Sequence, residues 1–250
     1  MPLLVEGETN MHTDFWESSW QRIDEKRLME YAERKEQADP ILETLKSRKA
    51  QTVCDAGCGC GAYVRRLAQQ GFTVKGFDVS GRAVEIAEDL LEKSGLTAEL
   101  RAASVLKTGY PDNEFDAVVC RDVLDHIPKE EAKQAVRELC RITKPGGIIL
   151  LTLDGLDEEY QKEPHTVTEE GDYQFTEGNG RGWCSIHTAP KKRLNLERQQ
   201  KHFMLNLFRR VCWSDWNYEN KREALRLTGV LFLCPKHKSK PVQNAQGCFW

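Results

Sequence analysis

Between residues 51 and 153 the chain alternates apolar runs of strand length with segments in which apolar residues recur every three or four positions. Residues 51–56, 72–78, 115–120 and 148–153 read as strands, with a weaker one at 97–102. Residues 61–70 read as the first intervening helix. Ala83, Ile86, Ala87, Leu90 and Leu91 line one face of the next, and Ala132, Ala135, Val136, Leu139 and Cys140 mark a third, which Lys144-Pro145-Gly146-Gly147 stops. Strands separated by helices in this rhythm run parallel, because each crossover returns the chain to the same end of the sheet. Phe15, Trp16, Trp20, Ile23, Leu28, Met29 and Tyr31, scattered among charges over 13–48, predict one or two amphipathic helices ahead of the first strand.

After residue 153 the rhythm breaks. Residues 154–192 are polar, carry glycines and exceed an ordinary connection, which marks a functional insertion or a disordered one. A helix is expected over 194–207, then an antiparallel pair at 207–216 and 225–234 that closes the sheet, then a flexible basic tail. The domains expected are 1–48, an N-terminal helical cap; 49–234, the main domain with 154–192 as a lid; and 235–250, the tail.

The chemistry concentrates in Thr52-Val53-Cys54-Asp55-Ala56-Gly57-Cys58-Gly59-Cys60-Gly61-Ala62. A strand running through alternating glycines into a helix exposes backbone N–H groups at a positive helix end with no Cβ in the way. Such a turn holds a nucleotide-like ligand. Asp78, at the end of the second strand, is placed to accept two hydrogen bonds from a ribose diol; its alternative use is a helix cap, for which Ser80 is the better residue. Gly57-x-Gly59-x-x-Ala62 also fits the nicotinamide-dinucleotide fingerprint.

The full run, with Asp55 two residues before the first glycine, resembles the first motif of class I S-adenosylmethionine-dependent methyltransferases. The resemblance continues through Phe77-Asp78-Val79-Ser80, Pro111-Asp112-Asn113-Glu114-Phe115-Asp116-Ala117-Val118-Val119-Cys120 and Leu139-Cys140-Arg141-Ile142-Thr143-Lys144-Pro145-Gly146-Gly147-Ile148-Ile149-Leu150, over residues 50–153. It implies a doubly wound, mainly parallel, seven-stranded α/β sheet with an antiparallel last strand, and S-adenosylmethionine as cofactor, leaving S-adenosylhomocysteine. It further implies that Asp55, Gly57, Gly59, Gly61, Asp78, Val79, Ser104, Val105, Cys120 and Arg121 bind the cofactor, with Asp55 near its ammonium and Arg121 at its methionine end. Ser104 falls where the family often has an acid for the adenine amino group; a hydroxyl accepts the same bond without charge.

Methyl transfer is an in-line displacement whose rate comes from holding the nucleophile about 3 Å from the methyl. A base is required only for a nucleophile that arrives protonated. Asp122 and His126, just beyond strand four, and His165 in the insertion are the candidate bases; a helical 120–126 sets Asp122 on one face with Asp125 and His126. The alternative is that His126 packs under the fold and Asp122 caps a turn. Phe15, Trp16, Trp20, Tyr160, Tyr173, Phe175, Trp183 and His187 are candidate lid aromatics.

Charge narrows the acceptor. Residues 154–182 hold nine acids against Lys162 and Arg181, an arrangement that attracts a cation, so the expected acceptor is a small-molecule amine. The stretch from Trp183 onward is basic, and an alternative reading uses it to dock RNA or a protein, although no nucleic-acid module is recognisable. A non-catalytic, cofactor-binding role is the second alternative. Cys54, Cys58 and Cys60 lack a matching pair at metal spacing, so no metal is expected and the nine cysteines read as reduced thiols. No apolar run reaches membrane-span length and residues 1–10 lack signal-peptide features, which leads to an expected cytoplasmic location.

Overall fold

The computed structural model describes residues 11–24, 28, 30, 39–153, 164–169, 172–175, 184–185 and 230–233. Among the described residues, helices α1 (Met11–Gln21) and α2 (Pro40–Ser47) precede β1 (Thr52–Ala56), α3 (Ala62–Gln69), β2 (Thr73–Asp78), α4 (Gly81–Lys93), β3 (Glu99–Ala102) and β4 (Phe115–Arg121). A 3₁₀ turn at Leu124–His126, α5 (Lys129–Ile142) and β5 (Thr143–Thr152) follow, then the short strands β6 (His165–Val167), β7 (Tyr173–Phe175) and β8 (Cys184–Ser185), and finally β9 (Val230–Leu233).

The main sheet has the order β3-β2-β1-β4-β5-β9. β1 pairs in parallel with β2 on one side and β4 on the other; β2–β3 and β4–β5 are also parallel, and β9 joins β5 antiparallel. Strand order therefore reverses at β1, and the crevice beyond its carboxyl end is where a ligand binds in sheets of this kind. Layering follows from the two-residue side-chain period. On β4 and β5, Val118, Cys120, Ile149 and Leu151 face α5 residues Ala135, Val136 and Leu139. Their neighbours Ala117, Val119, Ile148 and Leu150 face Val64, Leu67 and Leu45 on the opposite side. Burial on both faces explains why these strands read as unbroken apolar runs.

Two boundaries differ from the sequence reading. β5 begins pairing at Thr143, opposite Phe115, and its register shifts before Ile148 meets Ala117. Pro145 has no N–H to donate and Gly146 sits at φ 81°, so Lys144-Pro145-Gly146-Gly147 forms an irregularity inside the strand rather than a break before it. The insertion contains strand structure the polar composition did not suggest: β6, β7 and β8 form an antiparallel sheet. Asp172 ties it to α5, whose capping position is Pro128, by accepting a hydrogen bond from Lys129 N at 3.1 Å.

Six strands of the expected seven lie in the main sheet among the described residues. The expected helix at 194–207, the strand at 207–216 and the basic tail lie outside the described residues. Among those described, no helix is long and apolar enough to cross a membrane.

At the amino ends of the strands, Asp116 accepts hydrogen bonds from Gln51 N (3.0 Å), Thr52 N (2.9 Å), Thr52 Oγ1 (3.0 Å) and Lys144 Nζ (2.8 Å). Burial pushes its carboxyl up, but the bonds from Lys144, Thr52 and Gln51 outweigh it and hold the group well below the ordinary carboxylate range. Asp116→Ala leaves two backbone N–H groups without this acceptor and is expected to lower stability by about 2 kcal/mol. A depressed carboxyl stabilises above its unfolded value, about pH 4, and loses that contribution as pH falls through the folded value. Denaturant titrations of wild type and variant should therefore differ most at neutral pH and converge in acid; a gap independent of pH would contradict the ionic origin.

Candidate functional site

Backbone geometry sets the site before any side chain enters it. Gly57 N and Cys58 N both donate to Phe77 O, at 2.8 and 2.9 Å, so the turn after β1 is fastened to the end of β2. Gly57 has φ 74°, and a Cβ there would lie 2.3 Å from Val123 Cγ2. At Gly59, φ 52°, a Cβ would lie 3.0 Å from the Trp20 ring. The glycines thus provide a left-handed turn that α1 approaches closely. Gly61, φ 76°, is the N-terminal capping position of α3.

Asp78 is buried where the turn meets β2. Its Oδ2 accepts from Gly59 N at 2.9 Å and its Oδ1 from Ser80 N at 3.0 Å. The cap of α4 is Ser80, whose hydroxyl accepts from Ala83 N, so Asp78 is not the cap. Burial raises the Asp78 carboxyl above its ordinary value against the opposing bonds from Ser80, Gly59 and Val79. Asp55 is buried more completely, and its carboxyl is pushed up to about 7 by burial; Arg121 opposes the shift and Asp78 adds to it.

These groups border a cavity of about 280 Å³. Of the expected cofactor residues, Asp55, Gly57, Gly59, Asp78, Val79, Ser104, Val105 and Arg121 line it, whereas Gly61 and Cys120 do not. Cys120 lies on β4 with its side chain fully buried in the core on the α5 side of the sheet. The Ser104 hydroxyl accepts from Leu106 N at 3.2 Å, which shapes its own loop. Trp16, Trp20 and Thr13 form the α1 wall, while Phe15 packs edge-on against Trp16 outside the lining.

Asp122 and His126 line the cavity, but not on a helix. Asp122 has φ 53° and is fixed to β5: its N donates to Thr152 O, and its Oδ1 accepts from Thr152 Oγ1 at 2.7 Å. A left-handed residue ends regular structure, so only Leu124–His126 coils, and the shared face expected for Asp122, Asp125 and His126 does not form. His126 Nε2 lies 3.7 Å from Asp125 Oδ2, and its ring meets Trp16 edge-on at 5.0 Å. His165 is elsewhere: it sits on β6 against the rings of Tyr173 (4.8 Å) and Phe175 (5.7 Å) and does not line the cavity. Tyr160, Trp183 and His187 lie outside the described residues.

Three contributors escaped the sequence reading. Tyr63, on the first turn of α3, lines the cavity and carries the Arg121 guanidinium 4.4 Å from its ring centroid. Glu131, at the start of α5, also lines it. Glu17 anchors α1 by accepting from Ser80 Oγ (2.6 Å) and Arg82 N (3.3 Å), and the Ser80 bond lowers its carboxyl despite some burial. An aromatic residue immediately after the glycine turn was the available signal for Tyr63; Glu17 carried none. Among the described residues, no cluster of His, Cys, Asp or Glu is arranged to hold a metal ion.

Residues 54–151 match the family model described as a methyltransferase domain. Over 113 residues the chain is 33% identical to a ubiquinone biosynthesis O-methyltransferase of Thiobacillus denitrificans, covering 44% of this chain and 47% of that protein. Over 141 residues it is 32% identical to the methyltransferase GfsG of Streptomyces halstedii, covering 55% and 48% respectively. The chain thus spans about half the length of the curated relatives it matches. A crystal structure of a methyltransferase from Methanosarcina mazei shares the fold, with a TM-score of 0.53 at 20% identity over 70% of this chain and 84% of that one. Glycine turn, Asp78 at the end of β2, strand order and matched segment agree in making residues 54–151 similar to a methyltransferase domain of the doubly wound α/β kind.

Proposed function

We propose that the protein transfers the methyl group of S-adenosylmethionine to a small-molecule acceptor. The observation that carries this reading is Asp78, a buried carboxylate whose two oxygens are each oriented by a backbone N–H, beside a turn with glycine at alternate positions. These residues fit the cofactor. Asp78 would accept the ribose hydroxyls, Val79 and Val105 would flank the adenine, and Asp55 and Arg121 would meet the ammonium and carboxylate of the amino-acid end. Bound there, the cofactor supplies a methyl group on a positively charged sulfonium. Trp16 and Trp20 of α1 form one wall of a cavity of about 280 Å³, a size that suits a small acceptor better than a polymer.

Trp16, Asp122, His126, Ile127 and Glu131 also line the cavity. His126 is the base in this reading, because a proton taken by its ring is stabilised by the buried Asp125 carboxylate beside Nε2. Two carboxylates and an indole face favour an amine acceptor. The acids of the insertion add less than their number suggests: Asp172 is buried at the start of α5, and Glu169 is exposed. The O-methyltransferase relative favours the second reading, a hydroxyl acceptor.

Calorimetry should show S-adenosylmethionine and S-adenosylhomocysteine binding and NAD not binding. Asp78→Asn retains a side-chain acceptor but loses the charge and half the acceptor set, and should weaken both sulfur nucleotides roughly 10- to 150-fold, about 1.5 to 3 kcal/mol. Asp78→Ala should in addition lower the stability of the empty protein, since Gly59 N and Ser80 N lose their acceptor. Tight NAD binding with no response to the sulfur nucleotides overturns the assignment.

Binding should also respond to pH. A carboxyl raised to about 7 stays protonated in the fold above pH 4, where the unfolded chain has lost that proton, so Asp55 lowers stability as pH rises through that window. A cation in the site favours the ionised form. Affinity should rise between pH 6 and about 8 with release of a proton, and Asp55→Asn should flatten that rise. Comparing the two proteins with one ligand cancels the ligand's own titration; parallel curves would remove Asp55 from the amino-acid end.

Acceptor chemistry is decided by incubating the protein with methyl-labelled cofactor and fractionated small molecules. Label on nitrogen, a Michaelis constant raised by Glu131→Gln and a turnover lowered at least tenfold by His126→Ala are the expected outcomes. Label on oxygen replaces the amine with a hydroxyl, and label only in RNA or protein rejects the small-molecule reading.

A further inference from the structure

Tyr63 and Asp39 form a buried pair that the cofactor assignment leaves unexplained. Asp39 belongs to the N-terminal segment, where it caps α2 by accepting from Leu42 N at 3.0 Å. It also lies 3.2 Å from Arg66 Nε and accepts a hydrogen bond from the Tyr63 hydroxyl, 3.2 Å from Oδ2 and 3.3 Å from Oδ1. Tyr63 is 7% exposed and Asp39 8%. A cap needs only one acceptor and Arg66 only one anion, so neither accounts for an aromatic hydroxyl aimed at the same carboxylate. That bond fixes the far end of the Tyr63 ring. The near face borders the cavity and lies under the Arg121 guanidinium, 4.4 Å from the ring centroid.

We propose that Tyr63, seated by Asp39, is a positioning residue that holds Arg121 for the carboxylate of the cofactor's amino-acid end. A guanidinium on a long stem samples many rotamers in a wide cavity, and a flat ring fixed at its distal hydroxyl restricts that freedom before the ligand arrives. Asp55 lies at the same end and attracts Arg121 electrostatically. Loss of the ring lets Arg121 close on Asp55; with the ring in place, the guanidinium is held toward an incoming carboxylate and Asp55 toward the ammonium. The device selects ligands that carry an amino acid over bare nucleosides. It rests on the cofactor reading above.

The test compares S-adenosylhomocysteine with 5′-methylthioadenosine, which has the same nucleoside and sulfur but no amino-acid end. Calorimetry on the full chain should show Tyr63→Leu weakening S-adenosylhomocysteine about tenfold and methylthioadenosine less than about twofold. Tyr63→Phe, which keeps the ring and loses only the hydroxyl, should show the same selectivity at about threefold and stays informative if the leucine variant does not fold. In an Arg121→Ala background the Tyr63→Leu effect should vanish, since a residue that acts through another loses its influence when that other is gone. Equal weakening of both ligands by the Tyr63 variants, no weakening, or a Tyr63 effect that persists without Arg121 overturns the proposal while leaving the cofactor reading standing. Failure of the wild type to bind either ligand overturns the cofactor reading itself, and this inference with it.

Discussion

The two hydrogen bonds that the glycine turn donates to Phe77 O govern this molecule. They fasten the exit of β1 to the end of β2, and with that register set, Gly59 N points at Asp78 and α3 starts with its amino end toward the cavity. The sheet cooperates because β1 lies between β2 and β4, which places Asp55, Asp78 and Arg121 at the carboxyl ends of three adjacent strands. A side chain at Gly57 would collide with Val123 and push apart the turn and the segment after β4. Shape and charge thus trace to one constraint, a turn that tolerates no Cβ at Gly57 or Gly61.

That arrangement concentrates ionisable groups where water is scarce. Asp55 and Asp78 are raised mainly by burial; Asp78 raises Asp55 further and Arg121 opposes the shift, while Asp78 gains only partial relief from the N–H groups of Ser80, Gly59 and Val79. Burial of such groups lowers the stability of the scaffold, and the deficit is offset by the core on both faces of the sheet and by ionic fastening at the opposite end around Asp116.

Much of this was legible along the chain because it depends on short periods. The strands at β1, β2 and β4 and the inward faces of α4 and α5 follow from spacing, and the glycine run with Asp78 follows from the chemistry of a ligand-binding turn. What was not legible depends on distance in sequence. Glu17 and Ser80 are 63 residues apart, Lys129 and Asp172 43, and Tyr63 and Asp39 24. No local pattern announces such pairs. Asp122 failed for a different reason: an acidic residue suits either a helix or a left-handed turn, and the Thr152 hydrogen bonds decided between them. His165 drew attention by residue type, yet strand pairing in the insertion directs it to Tyr173 and Phe175.

The cover over the cavity is joined to the same hydrogen-bond chain as its floor. Ser80 caps α4, gives its N–H to Asp78 and its hydroxyl proton to Glu17 on α1, while Asp78 accepts from Gly59, beneath Trp20 of that same helix. Withdrawing α1 therefore removes an anion from the positive end of α4 as well as apolar cover from the glycine turn, a change of about 1 to 3 kcal/mol for the charged hydrogen bond alone. Position of the helix and state of the Asp78 carboxylate are linked through one serine, so α1 belongs to the cavity and not merely to its surroundings.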